Sequence, residues 1–477
     1  MKVTFNHLSL TLSIAVALLF FIFPAQSIEF VNNVVGLLLS TFDSFFLLVI
    51  TSILLLCLLL IISPYGNIKL GNSSPEFSNL SWFSMLFAAG MGSGLIFWGV
   101  AEPVFHLKSP LNPNRDIITA LSLTNFHWGL HAWGIYAFSG LIIAWFTYNK
   151  GRKMTISYTL TPKVGVLMRS VDVLAVFSIL FGVSGTLANS IALIQTGLNS
   201  IFESIEFGLK FRIVLLLFIA IIFTLSSLSG LKKGVQLLSN FNVLLASVLL
   251  LIVILTVGVI PLLNLFLEEF IDYIFILPEV SFSINPENTE WSRSWTIIYL
   301  LWWVAWAPFT GLFIARISKG RTIREFLLGV IGVPTLLSMI WFVAFGGGSS
   351  IVNNYAQIQA VVMEDYTQGI FTFFTSFQYP ILLSLLAIIL LITFVITSAD
   401  SAVYVTALLT EEESKANKMI WSLVMVGITL ALIYENNVDL NKVVAIAGAI
   451  PFIFLLILQG ISFVYSLIKA NEDIRKK

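Results

Sequence analysis

Apolar residues in this chain of 477 residues come in long runs rather than in the short patches of a soluble core. The runs lie near 8–25, 36–62, 80–105, 117–147, 171–201, 212–229, 238–266, 293–317, 325–346, 379–409, 418–434 and 443–467. About 20 apolar residues cross the hydrocarbon core of a bilayer as a helix. Within lipid, only a helix or a closed barrel satisfies every backbone polar group. The runs therefore predict an all-α integral membrane protein with twelve transmembrane helices. Composition agrees, since 58% of residues are hydrophobic and only 10% charged, against about 25% charged in an average soluble domain. A cytosolic enzyme, a secreted disulfide scaffold and a nucleic-acid partner are excluded. The single cysteine, Cys57, sits within a run and can form no disulfide inside the chain.

Basic residues orient the spans. If the first run is a retained helix rather than a signal peptide, both termini face one side. Nineteen of the 25 Lys and Arg then fall on that side, including Lys69, the Lys150–Arg169 and Arg316–Arg324 loops and the tail. Lys108, Arg115, Lys210, Arg212, Arg293 and Lys442 fall on the other. Positive charge accumulates on the cytoplasmic side, so both termini are expected to be cytoplasmic. Residues 267–291, with the pattern EEFIDYIFILPEV, read as an interfacial amphipathic helix.

Membrane tryptophans usually collect in belts at the two interfaces. Here Trp128, Trp133 and Tyr136 stand near the centre of one run, and Trp302, Trp303, Trp306 and Phe309 near the centre of another. At 100° per residue, Trp128, Trp133 and Tyr136 share a helix face of about 140°. At the same depth, Gly90-Met91-Gly92-Ser93-Gly94 weakens the 80–105 helix, and Pro308 with Gly311 marks the 293–317 helix. Interrupted helices at corresponding places in two halves point to a transporter site. The halves 80–266 and 293–467 each hold five runs, and an odd number makes them inverted relative to each other. Thr397 and Ser398 add two hydroxyls at depth, and Asp400 and Glu102 add ionisable groups in or near spans. His127 and His131 have the i,i+4 spacing of two metal ligands, but no third ligand lies nearby in sequence. Clustered indole and phenol faces suit a quaternary ammonium, which donates no hydrogen bond and is cheap to desolvate.

At these residues the chain resembles the betaine/carnitine/choline transporter family. The likeness is strongest in AAGMGSGLIFWGVAEP, FHWGLHAWGIY, WWVAWAPFTGLFIARISKGRTIREF and FVITSADS. It implies a leucine-transporter-type fold: two peripheral helices in 1–70, inverted five-helix repeats in 80–266 and 293–467, the 267–291 connection between them, and a short cytoplasmic tail at 468–477. It also implies a homotrimer in a bacterial cytoplasmic membrane. Carried over by residue, Trp128, Trp133, Tyr136 and Trp303 form the ammonium box, with Trp302 and Trp306 on the path and Met91 and Ser93 at the substrate. Carbonyls of Ala88 and Met91 with Phe394, Thr397 and Ser398 imply a sodium site. A second sodium would use Phe309, Ser184 and Thr186. No organic cofactor is implied, and sodium is the coupling ion. Choline carriers of the family place an aspartate where Gly94 stands, so a zwitterion with its own carboxylate is expected. The expected function is sodium-driven import of glycine betaine or a related ammonium or sulfonium zwitterion. The alternatives are a sodium-independent carnitine or betaine exchanger, a proton-coupled choline carrier and, from another class, a channel or receptor.

Overall fold

The computed structural model describes residues 22–475 apart from 203, 285–287, 436 and 437, with scattered positions before 22. Among the described residues, ten helices are long and apolar enough to span a membrane, and one bent pair brings the number to eleven. The expected run at 8–25 is described only in part, and all of its described residues but Phe23 are helical.

In chain order the helices are α1 (Pro24–Ile62), the bent pair α2 (Asn79–Gly90) and α3 (Gly94–His106), α4 (Ile117–Trp128), α5 (Leu130–Ala144), α6 (Val166–Ile201), α7 (Leu209–Ser229) and α8 (Gln236–Val257). They continue as α9 (Val259–Phe282), α10 (Thr289–Ile317), α11 (Ile323–Ile351), α12 (Pro380–Leu409), α13 (Lys415–Glu435) and α14 (Val438–Arg475). Burial sorts them into a centre and a rim. The α4–α5 span is 94% buried and α8 only 22%. The most extensive pairings are α5 against α10 and α6 against α12. With no hydrophobic driving force between helices in lipid, such contacts rest on close packing and small residues. Gly311 shows this: a Cβ there would stand 2.3 Å from Ser139 Oγ on α5.

Three glycines divide runs that the sequence presents as continuous. The expected interruption at Gly90–Gly94 is real. Gly92 adopts φ +41°, and α2 and α3 meet at a 63° bend. Gly129 (φ −102°, ψ −126°) separates α4 from α5. Gly258 (φ +120°) separates α8 from α9, so residues 267–282 continue one helix that begins at Val259. The expected interruption at Pro308 is absent, for α10 runs through it as a helix from Ile298. Beside the proline, Ser139 Oγ donates to the Ala307 carbonyl at 3.1 Å and Ser178 Oγ to that of Ala305 at 2.9 Å. Through these contacts α5 and α6 hold this stretch of α10; the carbonyl that the proline leaves without its N–H partner is that of Val304.

Candidate functional site

The bend between α2 and α3 opens onto a cavity. Gly90 to Gly94 form one wall, and Trp302, Trp303 and Trp306 of α10 another. Trp128, Trp98, Tyr366 and Ser398 also line it, as do Thr186 and Asn189 of α6. None of its lining residues is charged. Trp128 and Trp303 meet edge to face at 5.1 Å, Trp302 stacks beside Trp303 at 6.4 Å, and Trp98 lies parallel to Tyr366 at 4.9 Å.

Six of the residues singled out for the substrate line this cavity: Met91, Ser93, Trp128, Trp302, Trp303 and Trp306. Trp133 and Tyr136 lie one layer behind. Tyr136 packs edge-on to Trp303 at 5.8 Å, and Trp133 edge-on to Tyr136 at 5.6 Å. Gly129 interrupts the helix between Trp128 and the other two, yet all three rings stay on the side of the bend and α10, for Trp128 and Trp133 meet Gly94 and Gly90, and Trp128 and Tyr136 both abut Trp303. Glycines in the bend make room for both tryptophans. A Cβ on Gly94 would stand 2.7 Å from the Trp128 ring, and one on Gly90 would stand 2.5 Å from that of Trp133.

The hydroxyl and carbonyl cluster also assembles beside the bend. A Cβ on Gly92 would lie 3.3 Å from Ser398 Oγ and 3.7 Å from the Ala88 carbonyl oxygen. Ala88, Met91, Phe394, Thr397 and Ser398 are all buried. Thr397 Oγ1 donates to the Phe394 carbonyl at 2.9 Å and accepts from Asn242 Nδ2 of α8 at 3.0 Å. Of the second set, Thr186 lines the cavity and Phe309 packs on Trp306 at 5.6 Å. Ser184 turns to α13 and donates to the Met425 carbonyl at 3.2 Å.

Several participants went unnoticed in the sequence. Asn189 lines the cavity, and its neighbour Ser190 donates its hydroxyl to Ser93 Oγ at 2.9 Å. Asn242 carries a signal of its own, an amide within an apolar run. Tyr366 has none, since it lies on the connection between α11 and α12.

Glu102 is fully buried, and His106, His127, Trp128 and Tyr299 surround its carboxylate. Glu102, His106 and His127 offer ligand atoms within 4.8 Å of one another. Ligands about 2.1 Å from a tetrahedral zinc stand about 3.4 Å apart. Here the imidazoles lie 2.8 and 3.2 Å from one carboxylate oxygen, at hydrogen-bonding distance. His131 points elsewhere, to Thr51 Oγ1 and Ser281 Oγ at 3.3 Å each. The i,i+4 histidines therefore do not converge. Outside the spans, Glu269 of α9 accepts from Asn125 Nδ2 at 2.9 Å. Burial, with the nearby charge of Asp272 adding to it, pushes its carboxyl up to about 8.

A family model described as BCCT, betaine/carnitine/choline family transporter, matches residues 4–472. The chain belongs to the betaine/carnitine/choline transporter family. It is a multi-pass membrane transporter and not an enzyme. Among similar members, the glycine betaine transporter OpuD of Bacillus subtilis is 38% identical, over 97% of this chain and 94% of its own length. A probable glycine betaine transporter of Desulfitobacterium hafniense is 35% identical, over 97% and 96%. An ectoine/hydroxyectoine transporter of Virgibacillus pantothenticus is 33% identical, over 90% and 89%. In this family member, the aromatic cavity and the hydroxyl cluster meet at Ser398, which belongs to both.

Proposed function

We propose that this transporter imports glycine betaine or a closely related methylated zwitterion, driven by sodium through alternating access. The observation that carries the reading is the cavity wall of indole faces without a charged residue. A primary amine would call for acceptors or a carboxylate, whereas a quaternary ammonium needs only ring faces. Each face contributes about 0.5–2 kcal/mol, so three tryptophans supply roughly 2–6 kcal/mol before desolvation. That suits the micromolar-to-millimolar affinity, about 4–8 kcal/mol, of a substrate that must also leave. The substrate carboxylate would face the bend, where backbone N–H groups and the Ser93–Ser190 hydroxyls lie.

Sodium would sit between the Ala88, Met91 and Phe394 carbonyls and the Thr397 and Ser398 hydroxyls. Ser398 then links ion and substrate: an ion held there favours closure of the bend over the carboxylate. The reading takes one sodium per cycle and keeps Phe309 and Thr186 as support for the cavity wall. One charge moved through 100 mV supplies about 2.3 kcal/mol, roughly fifty-fold accumulation. The rest of the reading follows the family: twelve spans with inverted five-helix repeats, both termini cytoplasmic, and a trimer in a bacterial cytoplasmic membrane. Bacterial relatives and the eleven described spans support it.

The test is uptake of labelled glycine betaine into proteoliposomes under an inward sodium gradient, with equimolar potassium as control. Choline, carnitine, ectoine and dimethylsulfoniopropionate serve as competitors. Concentrative uptake that requires sodium is expected. Uptake that ignores sodium and needs preloaded substrate would identify an exchanger and remove the ion from Thr397 and Ser398.

A further inference from the structure

We propose that Glu102, which does not line the cavity, positions the aromatic wall and enriches its electron density, and is thus a positioning residue for the ammonium end of the substrate. The proposal rests on the betaine reading and deepens it. Its carboxylate, fully buried in α3, accepts hydrogen bonds from side chains of α3, α4 and α10. Oε1 accepts from His106 Nε2 at 3.2 Å and His127 Nδ1 at 2.8 Å. Oε2 accepts from the Trp128 indole N–H at 2.7 Å and the Tyr299 hydroxyl at 2.6 Å. His127 carries the arrangement onward. Its Nε2 lies 3.1 Å from Thr296 Oγ1, its ring stacks on Tyr299 at 4.9 Å, and its backbone carbonyl accepts the Trp303 indole N–H at 2.7 Å.

The two rings that meet edge to face in the cavity, Trp128 and Trp303, are therefore both tied to this carboxylate, one directly and one through His127. The indole nitrogens of Trp133 and Trp306 and the hydroxyl of Tyr136 have no such tie among the described residues. The selectivity of the tie has a chemical consequence. An indole N–H is a donor only, so its orientation follows its acceptor. A carboxylate at that N–H also draws the proton and pushes electron density into the ring, whose negative face attracts the ammonium. For Trp128 this polarisation is direct, whereas Trp303, held by the His127 backbone carbonyl, is positioned rather than polarised. The carboxylate strengthens attraction for a cation while staying out of contact, and so avoids an ion pair that would slow release.

A purely architectural Glu102 would hold the same helices together without favouring charge. The two roles part when glycine betaine is compared with 3,3-dimethylbutyrate, which has the same shape and carboxylate but a neutral carbon in place of the ammonium nitrogen. Displacement of labelled betaine by each compound would be measured for the full-length protein in nanodiscs. Glu102→Gln keeps the size, offers its amide oxygen to Trp128 and Tyr299, and removes the charge. Expected is a three- to ten-fold loss of affinity for betaine with the carbon analogue held within two-fold. Glu102→Leu, which removes the acceptor as well, should weaken both ligands. In 5-fluorotryptophan-labelled protein it should also shift the fluorine resonance assigned to Trp128 through Trp128→Phe. Parallel losses for both ligands in Glu102→Gln, or none, would overturn the role of Glu102 and leave the substrate reading standing. A wild-type protein that binds the two compounds equally would overturn both.

Discussion

Gly94→Ala puts the aromatic wall to a quantitative test with one added methyl group. Gly94 opens α3, and its φ lies outside the left-handed region, so alanine adds no backbone strain. The added Cβ would stand 2.7 Å from Trp128 Cη2 and 3.1 Å from Cζ3. Carbon atoms rest at about 3.5–4.0 Å, so the ring must retreat by about 1 Å. A ring held by packing alone could yield, but Trp128 is tied by its N–H to Glu102 at 2.7 Å. A displacement of that size along the bond would stretch it to about 3.7 Å, beyond hydrogen-bond range. The lost bond to a charged group, about 1.5–3 kcal/mol, falls on stability, whereas the ring face withdrawn from the ammonium, about 0.5–2 kcal/mol, predicts at 1.4 kcal/mol per decade a several-fold rise in KM, up to about 25-fold. Gly90→Ala is the matched comparison. Its Cβ would meet Trp133 at 2.5 Å, but Trp133 does not line the cavity and its N–H has no partner among the described residues. It should cost stability by about 1–3 kcal/mol through overpacking and leave KM within about threefold. Labelled betaine uptake at saturating sodium, with thermal melts of both variants, decides the matter. A wild-type KM for Gly94→Ala would refute the assignment of Trp128. An equal rise for Gly90→Ala would return Trp133 to the box.

Trp303→Leu removes the ring on which Trp128, Trp302 and Tyr136 all abut. Uptake at micromolar betaine should fall at least about tenfold, the loss of one strong cation–π contact, and an unchanged KM would exclude Trp303. Thr397→Ala with Ser398→Ala should raise the sodium concentration for half-maximal uptake. Because Asn242 then loses its partner, Thr397→Ser is the control that keeps it, and an unaltered sodium dependence in the double variant would remove the ion site. Glu269 predicts a pH effect on stability. Its folded carboxyl, pushed up to about 8, holds a proton that the unfolded chain releases near 4.5. The folded state binds more protons in that window, so stability should decline as pH rises from about 4.5 through 8. Glu269→Gln keeps an acceptor for Asn125 and should flatten the decline in melting temperature between pH 5.5 and 8.5. A parallel decline in wild type and variant would contradict the assignment.

The difference between Trp128 and Trp133 shows where sequence reasoning stops. Both stand in FHWGLHAWGIY and both pack on glycines of the bend, but only Trp128 reaches the cavity. A glycine in an apolar run marks a weak point without saying whether it breaks. Gly92 and Gly129 do; Gly311 does not, and serves instead to let α5 approach α10. Pro308 was misleading in the same way, for it sits inside α10 without interrupting it.

What the sequence by itself determined is whatever follows from local composition: the membrane, most of the spans, the bend at Gly90–Gly94 and the aromatic character of the site. Those depend on the free energy of placing a residue in lipid or of bending a helix, which neighbours along the chain largely decide. The tertiary structure alone decided which aromatic rings face the cavity and what holds them. The donors to Glu102 lie 4, 25, 26 and 197 residues away along the chain. A buried carboxylate must find its donors in space, and only packing α3, α4 and α10 together brings those four to one point.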